Sequence, residues 1–332
     1  MKRFWVVAVL GVLSFFPIAS FADDSVYEPI PAMEYPSDNK WSKEKEVLGK
    51  MLYFDPRLSG SNWISCATCH NPGLGWGDGL PRTIGDGQKE LGRHAPTVIN
   101  SGYFALQMWD GRKKTLEDQA SGPIGAAGEM NQDYGELIRE LQALPDYVNR
   151  FDKVFGKNAL NIENISKAIA TFERSVISKN APYDKYWAGD KQAMSASAVR
   201  GMDLFFGKGK CGICHNGPVF TDSGFHNIGV KAAGPLKVDL GRYNETKDDF
   251  DKGGFKTPGL RDISRSAPYM HNGTESTLEE VISFYKRGGD VKDNISPFIT
   301  PLELSKQEEK DLVAFLKALD GEPILVTFPI LP

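Results

Sequence analysis

Very little in this chain can hold a metal or a disulfide. Its 332 residues include only four cysteines and five histidines, which excludes a scaffold stapled by many disulfides. Clustered lysine and arginine are missing, and 43 acidic residues outweigh 39 basic ones. That removes the electrostatic footprint of a nucleic-acid binder. Long apolar runs are missing as well. The one at Phe4–Phe16 is too short to span a bilayer comfortably, and nothing later is longer.

That short run is read as part of an export signal. Lys2 and Arg3 give it a positive start, and Ser20-Phe21-Ala22 is a small-X-small cleavage site. A signal peptide is therefore expected over residues 1–22. Cleavage removes two basic residues and no acidic ones, taking the formal net charge from −4 to −6. The expected product lies in the periplasm, without a membrane anchor. An acidic protein of this kind suits small electron carriers with basic faces as partners.

All four cysteines fall into two Cys-X-X-Cys-His sites, Cys66-Ala67-Thr68-Cys69-His70 and Cys211-Gly212-Ile213-Cys214-His215. In this arrangement the thiols add to the vinyl groups of a haem and the adjacent imidazole reaches its iron. Zinc would need a second ligand pair near each site, and none is present. Two covalent c-type haems are the expected cofactors, with His70 and His215 as proximal ligands.

The sites lie 145 positions apart and their surroundings repeat. Gly49-Lys50-Met51-Leu52-Tyr53-Phe54 precedes the first, as Gly201-Met202-Asp203-Leu204-Phe205-Phe206 precedes the second; His70-Asn71-Pro72 echoes His215-Asn216-Gly217. This pattern reads as a duplicated unit. Ile165, Ile169 and Phe172 recur at helical spacing. Thr277 with Glu280, and Ser305 with Glu308, form capping boxes for two further helices. In the first of these, Leu278, Val281, Ile282 and Tyr285 make one apolar stripe, so Tyr285 points inward. Residues 73–96 and 217–268 read as long loops. The expected fold is mainly α, with two cytochrome c-like helical haem domains at 23–185 and 186–332. Composition leaves the sixth iron ligand open among His94, His226, His271 and a methionine such as Met270.

Several motifs narrow this. Ala267-Pro268-Tyr269-Met270-His271-Asn272-Gly273, followed by Thr277-Leu278-Glu279-Glu280-Val281, resembles the bacterial di-haem cytochrome c peroxidase family. So do Trp109-Asp110-Gly111-Arg112, Phe225-His226-Asn227-Ile228-Gly229 and Phe255-Lys256-Thr257-Pro258-Gly259-Leu260-Arg261. Fourteen residues after His271, where conventional members carry a methionine ligand, stands Tyr285, as in the family's MauG-like branch. The resemblance implies a second haem closed by His215 and Tyr285. It implies a first haem open to hydrogen peroxide, with Glu129 as distal acid/base, Gln119 and Pro123 shaping the pocket, and Trp109 bridging the haems. Arg112 and Arg261 are implied partners of the propionates, and His226 and His271 are assigned to propionates or backbone.

His94 occupies the place of an asparagine that binds calcium in the family, so calcium carries over only with that ligand replaced. Gly209 replaces a tryptophan that carries holes to a protein substrate in the MauG enzyme. Trp63, Trp76 and Trp187 are left as alternatives. The function implied is a MauG-like oxidoreductase that uses peroxide to form high-valent haem iron and oxidise a partner protein, with tryptophan-derived cofactor maturation as one such task. A peroxidase drawing electrons from a small cytochrome or cupredoxin is the alternative, and a non-catalytic electron carrier is the third reading.

Overall fold

The computed structural model describes residues 27–332; the expected signal peptide at 1–22 lies outside them. Eleven α-helices occur among the described residues: α1 Lys43–Phe54, α2 Cys66–Cys69, α3 Leu116–Gly125, α4 Tyr134–Gln142, α5 Pro145–Phe155, α6 Ile162–Glu173, α7 Pro182–Trp187, α8 Ala196–Phe206, α9 Tyr243–Thr246, α10 Leu278–Lys286 and α11 Lys306–Lys317. One antiparallel pair, β1 Phe225–His226 with β2 Phe255–Lys256, ties the long second loop to itself. No helix among the described residues is long and apolar enough to cross a membrane.

The helix starts follow local chemistry. Side chains of Ser42, Thr115, Asn161 and Ser195 accept hydrogen bonds from backbone N–H groups in the first turns of α1, α3, α6 and α8. Each satisfies a donor that the helix itself leaves unpaired. Thr277 with Glu280 and Ser305 with Glu308 close reciprocal capping boxes on α10 and α11.

Two helix pairs carry the architecture. In the first, α1 crosses α6 so closely that a Cβ on Gly49 would stand 1.8 Å from the Ala168 carbonyl oxygen. In the second, α8 crosses α11, and a Cβ on Gly201 would stand 1.9 Å from the Asp311 carbonyl oxygen. Only glycine permits either approach. The repeat seen in the sequence is thus a repeat in packing.

Each pair anchors its own apolar core. The first runs from Leu48 to Val176 and includes Leu137 and Leu141 of α4 and Tyr147 and Phe151 of α5. The second runs from Tyr183 to Leu319. The chain ends are exchanged between them. Tyr27 packs on the second core, whereas Ile324, Val326 and Leu331 pack on the first. Lys50 and Arg57 hold the tail by donating to the carbonyls of Thr327 (3.1 Å) and Pro332 (2.9 Å).

Candidate active site

None of the four cysteines is disulfide-bonded. Burial pushes the thiols of Cys69 and Cys211 up to about 12 and that of Cys66 higher still. Protonated thiols are poor zinc ligands, since it is the thiolate that binds metal; they are the state that vinyl addition consumes. In both motifs the histidine N–H closes a turn on the first cysteine's carbonyl at 2.9 Å.

The two imidazoles are oriented alike. His70 Nδ1 donates to the Pro96 carbonyl at 3.0 Å, and His215 Nδ1 donates to the Phe220 carbonyl at 3.0 Å. With Nδ1 spent on a carbonyl, Nε2 keeps its lone pair, as a metal-binding histidine requires. Burial lowers the proton affinity of both rings. Both centres therefore fit an iron ligated by neutral imidazole.

Around the first centre lies a cavity of about 620 Å³. Cys66, Cys69 and His70 line it together with Gln119 and Pro123 of α3, Glu129 in the turn that follows, and Arg112. These residues span some 60 positions of chain and converge because α3 is capped by Thr115 and ends in the turn 126–131. Burial raises the Glu129 carboxyl above its usual range, and the Arg112 charge works against that rise. Pro123 has no N–H to present, although its carbonyl accepts from Met130 N at 3.1 Å.

The second centre has a smaller cavity, about 250 Å³, lined by Cys211, Cys214, His215 and Tyr285 amid apolar side chains from α10 and α11. Burial, followed by the nearby Cys211 and Cys214, raises the Tyr285 phenol. Its hydroxyl has no hydrogen-bond partner among the described residues. A polar oxygen turned into an apolar cavity without a partner costs free energy unless something in the cavity meets it. Met270 lines the same cavity.

Trp109 and His94 line both cavities. The Trp109 indole donates to the His94 carbonyl at 2.8 Å, and its own carbonyl accepts from Lys256 N at 2.8 Å. His94 Nδ1 donates to the Leu80 carbonyl at 2.8 Å. Calcium takes oxygen ligands, so this histidine adds nothing to a calcium set.

Other sequence expectations are redirected. Arg261 is buried, bonded to Asp184 (2.7 Å) and the Pro218 carbonyl (3.0 Å), with Nη2 left unpartnered, and it is not among the residues lining either cavity. Arg112 stands at the first cavity but is paired with Asp110 at 2.8 Å. His271 stacks on Phe255, with ring centres 3.6 Å apart. His226 pairs with Asp222 at 2.9 Å. His226, Asp222 and Cys214 cluster closely enough to hold an ion, but a thioether at Cys214 removes the thiolate such an ion would need.

Two residues of consequence escaped the sequence reading. Lys256 is 8% exposed, lines the second cavity and has no carboxylate partner among the described residues. Burial brings its ammonium down to about 8. An unpaired cation in that place suits a haem carboxylate. Glu173, at the end of α6, is buried on the first cavity with Oε2 unpartnered, and burial raises it to about 8. Glu173 alone had a signal in its position, four residues after Ile169 on the apolar face of α6, whereas Lys256 sits in a two-residue strand with no such pattern.

Comparison with known proteins agrees with this geometry. Residues 43–192 match the profile described as di-haem cytochrome c peroxidase. The chain is 42% identical over 302 residues to the methylamine utilization protein MauG of Methylorubrum extorquens, covering 91% of this chain and 85% of that one. It is 37% identical to the cytochrome c551 peroxidase of Nitrosomonas europaea, covering 100% and 96%. The crystal structure of a MauG-like protein associated with microbial copper homeostasis superposes with a TM-score of 0.83 at 33% identity, covering 90% and 95%. The chain belongs to the di-haem cytochrome c peroxidase family. It is a haem-dependent, peroxidase-type oxidoreductase with two c-type haems.

Proposed function

We propose that this protein is a periplasmic MauG-like enzyme, which uses peroxide at the His70 centre to oxidise a partner protein. The observation that carries this reading is Tyr285, whose unpartnered hydroxyl faces the second cavity together with His215. Bound haem supplies the redox chemistry by which peroxide is reduced. The remaining work belongs to the chain.

Burial raises the Glu129 carboxyl above its usual range, so its carboxylate is a stronger base than an exposed one. From that place it can take a proton from one peroxide oxygen and return it to the other. The Gln119 amide offers a hydrogen bond to whatever occupies the cavity, and Pro123 narrows it without adding a donor. Trp109, touching both cavities, is the side chain through which the two centres share oxidising equivalents. Lys256 and Arg112 supply positive charge for haem carboxylates.

A tyrosine ligand separates this reading from its rival, since a phenolate donor favours the ferric state over what a thioether gives. The rival is a peroxidase fed by a small cytochrome, and Met270 in the second cavity is the observation that favours it. The carrier reading is set aside because the family is enzymatic. Gly209, two residues before Cys211, leaves no indole at that position, so a protein substrate would be reached by another route than in MauG.

Tyr285→Met tests the reading. The expected result is a changed absorption spectrum at the second haem alone. An unchanged spectrum removes Tyr285 as a ligand and ends the proposal. Fast turnover of a reduced small cytochrome by the wild-type enzyme, without prior reduction, would install the rival.

A further inference from the structure

The duplicated helix pairs allow the two attachment loops to be compared residue for residue. Gly49 and Gly201 define the register, and the aromatic cage beneath each loop follows it. Tyr53 lies 5.1 Å from Phe172 in the first lobe, and Phe205 lies 5.1 Å from Phe315 in the second. Trp76 lies 5.9 Å from Tyr53 and 6.1 Å from Phe172; Phe220 lies 6.1 Å from Phe205 and 6.3 Å from Phe315. Trp76 and Phe220 even share a left-handed backbone, with φ of 62° and 59°. The cages are thus one construction built twice. In the second the three matching rings are all phenylalanine, and the one tyrosine packed on them, Tyr183 (5.2 Å from Phe220 and 5.9 Å from Phe315), has the Arg261 guanidinium 5.5 Å from its ring. In the first, two of the rings are a tyrosine and a tryptophan, the side chains that give up an electron most readily.

The surroundings differ in the same direction. In the second cage the Arg261 guanidinium stands 5.2 Å from the Phe220 ring. Among the described residues no cation stands over Tyr53 or Trp76. A cation against a ring opposes the loss of an electron from it, by the same electrostatics that make the contact attractive. The same electrostatics rank the tryptophans left open by Gly209. Trp187 has Lys191 at 5.1 Å, whereas Trp63 is half exposed and has no ring neighbour among the described residues. Trp76 is 1% exposed and free of cations.

The first cage is also joined to the centre above it. The Tyr53 hydroxyl donates to the backbone carbonyl of His70 at 2.9 Å. A carbonyl cannot take up the phenolic proton, so Tyr53 keeps it and its oxidation is disfavoured. The neighbouring indole can lose an electron without losing a proton.

We propose that Trp76, supported by Tyr53, is an internal electron donor to the first haem, holding one oxidising equivalent when no external donor is present. The proposal rests on the reading that peroxide reacts at that haem. Peroxide takes up two electrons and two protons and leaves as two waters. One electron comes from the haem irons and the other from Trp76, which is left as an indole radical cation retaining its N–H proton. Both protons come from water.

The test is electron paramagnetic resonance of the ferric holoenzyme frozen after stoichiometric peroxide, using protein made with ring-deuterated tryptophan. The expected result is an organic radical whose hyperfine structure narrows on deuteration and whose yield falls at least ten-fold in Trp76→Phe. Peptide mass mapping after repeated peroxide should find added oxygen on Trp76. Phe220, in the same cage and backbone conformation, shows that phenylalanine fits this place. A radical of undiminished yield in Trp76→Phe, or one lost instead in Trp109→Phe, overturns the inference and leaves the proposed function standing. No optical response to peroxide in either protein overturns both.

Discussion

The two cavities begin from the same parts and diverge in what faces the iron position. Each has an imidazole held by a backbone carbonyl at 3.0 Å and a glycine-crossed helix pair beneath it. Around the first stand Glu129, Gln119, Arg112 and the buried acid Glu173. Around the second, α10 and α11 supply apolar side chains and a single phenol, Tyr285. At the position following the cage phenylalanine, the first lobe has Glu173 where the second has Leu316. Carboxyl groups thus gather at one centre and are missing from the lining of the other. A duplicated electron carrier becomes an enzyme when one copy acquires a way to move protons and the other does not.

The bluntest way to break the comparison is to remove one centre. Cys66→Ala with Cys69→Ala should lower the mass of the purified protein by one haem and abolish peroxide consumption. The corresponding change at Cys211 and Cys214 should leave the first haem's binding of small ligands intact. Next comes the proton. Glu129→Gln should slow the reaction with peroxide by roughly 10²- to 10⁴-fold, read by stopped-flow absorbance, with the resting spectra unchanged. Tyr285→Met should then raise the reduction potential of the second haem in a spectroelectrochemical titration and leave that of the first in place.

The shared scaffold offers a smaller effect. Gly49→Ala and Gly201→Ala each force a methyl against a carbonyl and should each cost about 1–3 kcal/mol, seen as similar losses in denaturant midpoint. A last effect separates the lobes again. Glu173 holds its proton up to about pH 8 when folded, against the ordinary 4.5 when unfolded. Between those values the folded chain keeps a proton that the unfolded chain has shed, so stability should fall as pH rises and level off above the window. The slope approaches about 1.4 kcal/mol per pH unit. Glu173→Gln should flatten it, and unfolding at pH 5.5, 6.5 and 7.5 measures the difference.

Local chemistry was the most legible part of the sequence. The Cys-X-X-Cys-His sites, the capping boxes of α10 and α11, and the inward phase of Tyr285 all depend on neighbours a few positions away. The convergence of Glu129, Gln119 and Pro123 with His70 was reached through resemblance, because it depends on how α3 packs. Arg261 shows why the remainder was hidden. Its partner Asp184 lies 77 positions away, and nothing near either residue announces the pair. Helices α4 and α5 carry a readable stripe in Leu137, Leu141, Tyr147 and Phe151, all of which are buried. Glu173 stands on the apolar face of α6, and its burial there is what separates it from the other helix charges.

The exchange of chain ends sets an order of assembly. Ile324, Val326 and Leu331 pack against the first core, so its cover is completed only by residues that follow the second core. Phe328 of that tail meets Phe54 at the end of α1, with ring centres 5.2 Å apart, so the last residues clasp the helix that leads into the first attachment loop.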